Sequence, residues 1–131
     1  MGYHQKIVVM ACKHSAGEAL RELQREGWAL PDGVEWVELP CGGSLDELHI
    51  LRAFEAGAAA VLVLACYHGA CRSLDGSRWA EKRVQAIQEM LAEIGIEQDR
   101  LEFRNIAPTM LADLASWVEA LHRRILAPAG E

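Results

Sequence analysis

The chain has 131 residues, of which 51% are hydrophobic, and a formal net charge of −6. This length and composition suit one domain with a substantial core. The acidic balance, without a cluster of Lys and Arg, excludes nucleic acid as the expected partner, because binding to a phosphate backbone depends on dense cationic patches.

The N-terminal sequence has none of the marks of a targeting segment. MGYHQKIVVMAC lacks the charged start, the apolar stretch and the small-residue cleavage site of a signal peptide. The longest apolar stretch, residues 56–66, is far shorter than the roughly 20 residues that span a bilayer as a helix. We therefore expect a cytoplasmic protein without a membrane segment, in which thiols stay reduced and structural disulfides are rare.

The first half of the chain predicts two strand–helix units. KIVVMAC, residues 6–12, and VEWVELP, residues 34–40, have the composition of strands. Each is followed by a helical pattern, over residues 15–27 and 44–57, that ends in a glycine, a residue that commonly stops helices. The second helix opens with a capping-box pattern in which Ser44 is followed by a Glu three residues later.

The second half predicts two more units. AAVLVLAC, residues 59–66, is continuously apolar, as expected for a strand that is covered on both faces. A long helix over about residues 77–94 follows it and ends at a glycine. RLEFRNI, residues 100–106, alternates as an edge strand does, and the last helix is expected to run from Pro108 to about Ile125.

Strands and helices that alternate in this way predict a parallel sheet, because right-handed crossovers place the helices on its two faces. We expect an α/β fold: a single flavodoxin-like domain over residues 1–131, with its core at about residues 6–125. The predicted sheet has four parallel strands in the order 2-1-3-4, with helices on both faces. No repeat or linker suggests a second domain.

The four cysteines fall at one edge of this predicted sheet. Cys12 ends the first strand, Cys41 follows the second, Cys66 ends the third and Cys71 lies in the loop that leaves it. The carboxyl ends of parallel strands form the ligand crevice of such folds, so these thiols are expected to converge. The alternative is that each cysteine is simply a small buried residue. It would then be a coincidence that cysteines fall at the carboxyl ends of three different strands.

Four convergent thiolates suit either tetrahedral zinc or an iron–sulfur cluster. The sequence lacks the close C-x2-C pairs that are common in structural zinc sites, and its only close pair is Cys66 and Cys71. The pattern therefore favours a 2Fe-2S cluster and leaves zinc as an alternative. A third hypothesis is a dithiol redox protein that uses Cys66 and Cys71.

The loops around the cysteines have features that suit bound sulfur. Gly42 and Gly43 let backbone amides approach closely, and His68 and Gly69 lie in the tightest loop. An ordinary strand-to-helix turn explains the glycines equally well. Three roles are open to His14 and His68. Either could be a metal ligand, like the histidines of Rieske centres, or a hydrogen-bond donor to sulfur. The third alternative is a solvated loop residue.

Several of these segments resemble one known family. ACKHSAG, LPCGGS, ILRAFEAGAAAVLVLACYHGAC and GSRWAEKR are similar to the delta subunit of methyl-viologen-reducing hydrogenase, over residues 6–117. The resemblance implies an iron–sulfur protein that carries one 2Fe-2S cluster. It also implies electron transfer between a hydrogenase or formate dehydrogenase and the flavin-containing A subunit of heterodisulfide reductase.

The sequence departs from the family pattern at three points. Lys13 follows Cys12 where the family usually has a second cysteine, Ala70 stands where it has Asp, and residues 72–73 are Arg-Ser where it has His-Tyr. These changes bear on the reduction potential and on the partner, since both depend on the surroundings of the sulfur atoms.

The expected function is a non-catalytic electron-transfer subunit of a larger oxidoreductase complex. The sequence lacks the Gly-x-Ser-x-Gly, Walker and His-Glu-x-x-His motifs of common enzymes, and no flavin is expected. The expected partners are redox subunits, with a homodimer as an alternative for the isolated chain. Trp79 with Arg78, Lys82 and Arg83 forms either a solvated helix face or a docking face for an acidic partner.

Overall fold

The computed structural model describes residues 6–40, 45–67 and 76–126. Within these residues, strands and α-helices alternate, and a short 3-10 turn precedes the last strand. The elements are β1 (Lys6–Cys12), α1 (Ala16–Arg25), β2 (Val34–Leu39), α2 (Glu47–Glu55), β3 (Ala58–Ala65), α3 (Gly76–Glu93), β4 (Leu101–Asn105) and α4 (Leu111–Leu126).

The strands form one parallel sheet in the order β2-β1-β3-β4, which confirms the predicted fold class and strand order. β1 and β3 lie at the centre and are buried along almost their whole length, as their continuous hydrophobicity indicates. β4 lies at an edge and is only partly buried, as its alternating sequence predicts.

Each face of the sheet carries two helices. The α1–α4 face is the side that bears Ile7, Val9 and Ala11, and the α2–α3 face is the side that bears Val8 and Met10. Side chains of successive strand residues alternate between the two faces, so each face has its own hydrophobic core.

The predicted helix ends are confirmed at three glycines. Gly27, Gly57 and Gly95 lie two residues beyond α1, α2 and α3, and their φ angles are +97°, +102° and +86°. A positive φ is costly for a residue with a side chain, which explains why the chain uses glycine where these helices stop.

The predicted start of α2 is wrong by about two residues. The capping box is made by Asp46 and His49: the Asp46 carboxylate accepts a bond of 3.1 Å from the His49 amide, and His49 Nδ1 accepts one of 3.2 Å from the Asp46 amide. In the usual capping box, Glu or Gln provides the acceptor that the His49 nitrogen provides here. The sequence pattern therefore misses Asp46 and His49 and points to Ser44 and Glu47 instead. Ser44 lies outside the described residues.

The predicted start of α4 is also wrong, since the helix begins at Leu111. Pro108 lies in a turn before the helix, in which the Met110 amide donates to the Ala107 carbonyl. The Ala107 amide lies 3.2 Å from Met110 Sδ, which further holds the turn. Among the described helices, none is long and apolar enough to cross a membrane.

Candidate metal centre at the carboxyl edge

The carboxyl edge of the sheet is the end at which Cys12, Leu39, Ala65 and Asn105 terminate their strands. Cys12 is the last residue of β1, as predicted, and is only 3% exposed. Cys66 is also buried and comes directly after β3, one residue beyond the strand. Neither of these two cysteines forms a disulfide.

The strand register brings Cys12 and Cys66 close together. Ala11 pairs with Leu64, so Cys12 lies beside Ala65 and Cys66 lies one residue further along. A strand separation of about 4.8 Å and a rise of about 3.3 Å per residue place the two Cα atoms about 6 Å apart. Two residues that are distant in the sequence therefore become neighbours at the two central strands.

The other predicted ligands and loop residues lie outside the described residues: Cys41, Cys71, Gly42, Gly43, His68 and Gly69. Within residues 6–40, 45–67 and 76–126, no group of three or more His, Cys, Asp or Glu side chains forms a metal site. These ranges contain only half of the predicted cysteine set. The placement of the other half stays a prediction, with Cys41 two residues beyond Leu39, the strand neighbour of Cys12.

Backbone hydrogen bonds hold the chain where it leaves each central strand. The Lys13 amide donates to the Leu39 carbonyl at 2.8 Å, directly after Cys12. At the other strand, the Asn105 side-chain amide donates to the Cys66 carbonyl at 2.9 Å. The positions of both cysteines are thus held from the neighbouring strands.

The N-terminus of α1 lies close to Cys12. Only three residues separate them, and the Ser15 amide donates to the Cys12 carbonyl at 3.3 Å. Gly17 lets this first turn approach the end of β2, because a Cβ atom there would lie 2.6 Å from Glu38 Oε2. A helix N-terminus carries partial positive charge, which favours an anionic group nearby.

Ser15 is an unusual N-cap residue. Its side chain is completely buried, yet it makes no capping bond, and its hydroxyl has no hydrogen-bond partner among the described residues. A buried hydroxyl without a partner is costly, which makes it a candidate donor to an atom that the described residues do not supply. The sequence does not single out this residue, because Ser before a helix ordinarily predicts a cap.

Tyr67 is a second residue that the sequence does not single out. It follows Cys66 directly, is 45% exposed, and its hydroxyl lies 3.5 Å from Met110 Sδ. An exposed aromatic ring at this edge gives a partner protein an apolar contact beside the cysteine. Its sequence signal is only its position after the apolar run.

Comparison with known proteins shows the family of this chain. Residues 7–127 match the family model described as methyl-viologen-reducing hydrogenase, delta subunit. The chain belongs to this family. The resemblance seen in the sequence is therefore confirmed.

Several relatives from other organisms match most of the chain. The vhu iron-sulfur D subunit of the F420-non-reducing hydrogenase of Methanopyrus kandleri is 33% identical over 121 residues, which is 92% of each chain. The protein of the same name from Methanocaldococcus jannaschii is 34% identical over 97 residues, 73% of this chain and 72% of that one. Both names describe an iron–sulfur subunit of a hydrogenase.

A different relative is much longer than this chain. The A subunit of the Ferredoxin:CoB-CoM heterodisulfide reductase of Methanosarcina mazei is 30% identical over 71 residues, 54% of this chain but 9% of that protein. A segment similar to the delta subunit family is therefore part of a much longer heterodisulfide reductase polypeptide.

The described residues of this delta subunit family member fit a sulfur-ligated anionic group. Two buried cysteines that form no disulfide lie at the ends of adjacent strands, a helix N-terminus begins beside one of them, and the Ser15 hydroxyl is buried without a partner among the described residues. By contrast, a cleft of about 520 Å³ between α1 and the turn before α4 is lined by charged residues and contains no cysteine.

Proposed function

We propose that this chain is an electron-transfer subunit that holds one 2Fe-2S cluster through Cys12, Cys41, Cys66 and Cys71. The observation that carries the proposal is the pair of buried cysteines, Cys12 and Cys66, which lie at the carboxyl ends of adjacent central strands and form no disulfide. The names of the relatives as iron–sulfur subunits support the choice of metal group.

In this proposal the protein's own residues hold and insulate the group. Cys12 and Cys66 provide thiolates from the rigid centre of the sheet, and the hydrogen bonds from Lys13 N and from the Asn105 side chain fix the backbone at both points. The buried strands exclude water from one side. When bound, a 2Fe-2S cluster supplies one-electron redox chemistry, with a potential set by hydrogen bonds to sulfur and by exposure.

The proposed partners are redox proteins on either side of the electron path. One is an oxidoreductase of the hydrogenase or formate dehydrogenase type, and the other is a flavin-containing protein similar to the A subunit of heterodisulfide reductase. The relative from Methanosarcina mazei supports the second, because a similar segment is part of that polypeptide. The chain itself is proposed to be non-catalytic, a single domain and cytoplasmic.

The first experiment is metal and sulfide analysis of protein purified without oxygen, together with its visible absorption spectrum. We expect about two iron and two sulfide per chain and broad visible bands. Cys66→Ala and Cys12→Ala are each expected to lose the bands and most of the iron. Val63→Ala is the matched control, since it loosens the same buried strand as the Cys66 variant but keeps every thiol.

Two results would overturn the cluster proposal, and a third would overturn the assignment of Cys12 and Cys66 as ligands. A colourless protein with about one zinc per chain would identify a structural zinc module. A colourless protein without metal would leave the dithiol hypothesis for Cys66 and Cys71. Loss of the bands in Val63→Ala to the same degree would show that the cysteine variants report stability and not ligation.

A further inference from the structure

The outward side of α3 bears an apolar row that the core does not use. Trp79 is 53% exposed and Met90 is 45% exposed, although large apolar side chains on helices usually face the core. Ala86 lies between them in the sequence and is exposed too. These residues are spaced by seven and four, so they lie on one side of the helix.

Charges of opposite sign flank this row at its two ends. Lys82 is exposed near the N-terminal end, with its Nζ 5.3 Å from the centre of the Trp79 ring. Glu89 and Glu93 are exposed near the C-terminal end. We call Trp79, Lys82, Ala86, Glu89, Met90 and Glu93 the α3 outer face.

The α3 outer face is arranged symmetrically around Ala86. Trp79 and Glu93 lie seven residues to either side of it, and Lys82 and Met90 lie four residues to either side. A second α3 that runs antiparallel, with a two-fold axis at Ala86, would therefore bring Lys82 of one copy beside Glu89 and Glu93 of the other. Such an interface is isologous, since each contact occurs twice.

We propose that the α3 outer face pairs with the same face of a second copy of this chain, in an antiparallel arrangement centred on Ala86. The small Ala86 side chain lets the two helices approach at the crossing point. In this pairing, the acidic surface that faces Lys82 is the C-terminal half of α3 in the other copy. This proposal does not depend on whether the chain holds a cluster.

Neighbouring contacts keep the α3 outer face in place. Arg83 donates from Nη1 to the Leu45 carbonyl at 2.6 Å, which ties α3 to the segment before α2. Leu48 on α2 is 53% exposed and adds an apolar group on the same face of the sheet. Trp79 and Glu93 are about 21 Å apart along the axis, so one helix pair buries a small area and the dimer is expected to be weak.

Antiparallel pairing leaves the carboxyl edges accessible. α3 begins at this edge, after the loop that follows β3, and runs back across the sheet. In the dimer, the carboxyl edges of the two copies therefore lie at opposite ends. Each can meet a redox partner without displacing the second copy.

Sedimentation of the complete chain, purified without oxygen, over a range of concentrations tests the pairing. We expect a monomer–dimer equilibrium that salt weakens. Lys82→Glu and the double variant Glu89→Lys/Glu93→Lys should each weaken dimerisation by about tenfold or more, because like charges then meet at both ends. Arg123→Glu is the control, since it reverses an exposed cation on α4.

The decisive step mixes the two variants. A Lys82→Glu chain and a Glu89→Lys/Glu93→Lys chain have opposite charges at both ends of a mixed pair, so the mixture should dimerise more strongly than either variant alone. A chain that stays monomeric at every concentration reached would overturn the proposal. So would a mixture that remains monomeric, or a dimer that Lys82→Glu leaves unchanged. If Lys82→Glu weakens binding to a redox partner without changing self-association, the face belongs to that partner.

Discussion

The two faces of the sheet are completed differently. On the α1–α4 face, α1 buries five of its ten residues and contacts α4. On the α2–α3 face, α2 buries only Ile50 among its nine residues, and a groove of about 300 Å³ lies between α2 and the strands β1 and β2. α2 therefore contributes a smaller fraction of its residues to the core than α1 does, although α3 on the same face buries six of its 18 residues.

The turns that lead into α1 and α4 are held by backbone hydrogen bonds. The Ser15 amide donates to the Cys12 carbonyl before α1, and the Met110 amide donates to the Ala107 carbonyl before α4.

The largest expected effect comes from a core substitution on the α1–α4 face. Leu114→Ala removes a completely buried side chain of α4 and should lower the free energy of unfolding by about 2–5 kcal/mol. Leu48→Ala, on the exposed side of α2, should change it by about 0.5 kcal/mol or less. Urea denaturation of both variants measures the contrast, and equal losses would contradict the difference in burial between these two leucines.

Two tryptophans that pack against the core of the α1–α4 face differ in their hydrogen bonding. Trp28 Nε1 donates to Glu119 Oε2 at 2.8 Å, whereas the buried Trp36 Nε1 has no hydrogen-bond partner among the described residues. Trp28→Phe should therefore cost about 1–2 kcal/mol in unfolding free energy, because Glu119 loses its donor. Trp36→Phe should be close to neutral. A larger loss in Trp36→Phe would show that its indole nitrogen has an unrecognised partner.

The two helix starts provide a smaller contrast. Asp46 caps α2 and its carboxylate bonds to the His49 amide, so Asp46→Ala should cost about 1 kcal/mol of unfolding free energy. Ser15 does not cap α1, so Ser15→Ala should leave the stability of the metal-free protein almost unchanged. Thermal unfolding of both variants in metal-free form measures this difference. Equal losses would show that Ser15 caps its helix after all.

The smallest expected effect is on the midpoint potential of the proposed cluster, and this prediction rests on the proposed function. If the Ser15 hydroxyl donates to a sulfur, it stabilises the more negative, reduced form, so Ser15→Ala should lower the midpoint potential. Ser15→Thr keeps a hydroxyl and should stay close to the original protein. A spectroscopic redox titration measures both, and an unchanged potential in Ser15→Ala would show that the hydroxyl does not reach sulfur.

The sequence alone predicts the fold well, for physical reasons. Continuous apolar runs identify β1 and β3 as central, and the glycines after α1, α2 and α3 mark the helix ends, because burial and backbone sterics act locally. The position of Cys12 at a strand end follows directly. The closeness of the Cys12 and Cys66 backbone positions follows from the parallel register, while the convergence of the thiols stays a prediction.

The details that the sequence does not predict depend on side-chain geometry. The capping of α2 by Asp46 and His49 escapes the usual pattern because an imidazole acceptor takes the place of a carboxylate. The role of Ser15 depends on its burial, which no local pattern reports. Proline is common both in turns and at the first position of a helix. Pro108 lies in a turn, so the sequence predicts the start of α4 too early.

β1 acquires its central neighbour late in synthesis of the chain, because Lys6 pairs with Ala58 and Ala11 with Leu64. The ribosome must therefore complete β3 before the first strand can be covered on both sides. Until then the two central cysteines belong to separate, unfolded segments. Insertion of the proposed cluster is consequently a step that follows translation of β3, and the cell must keep both thiols reduced until delivery.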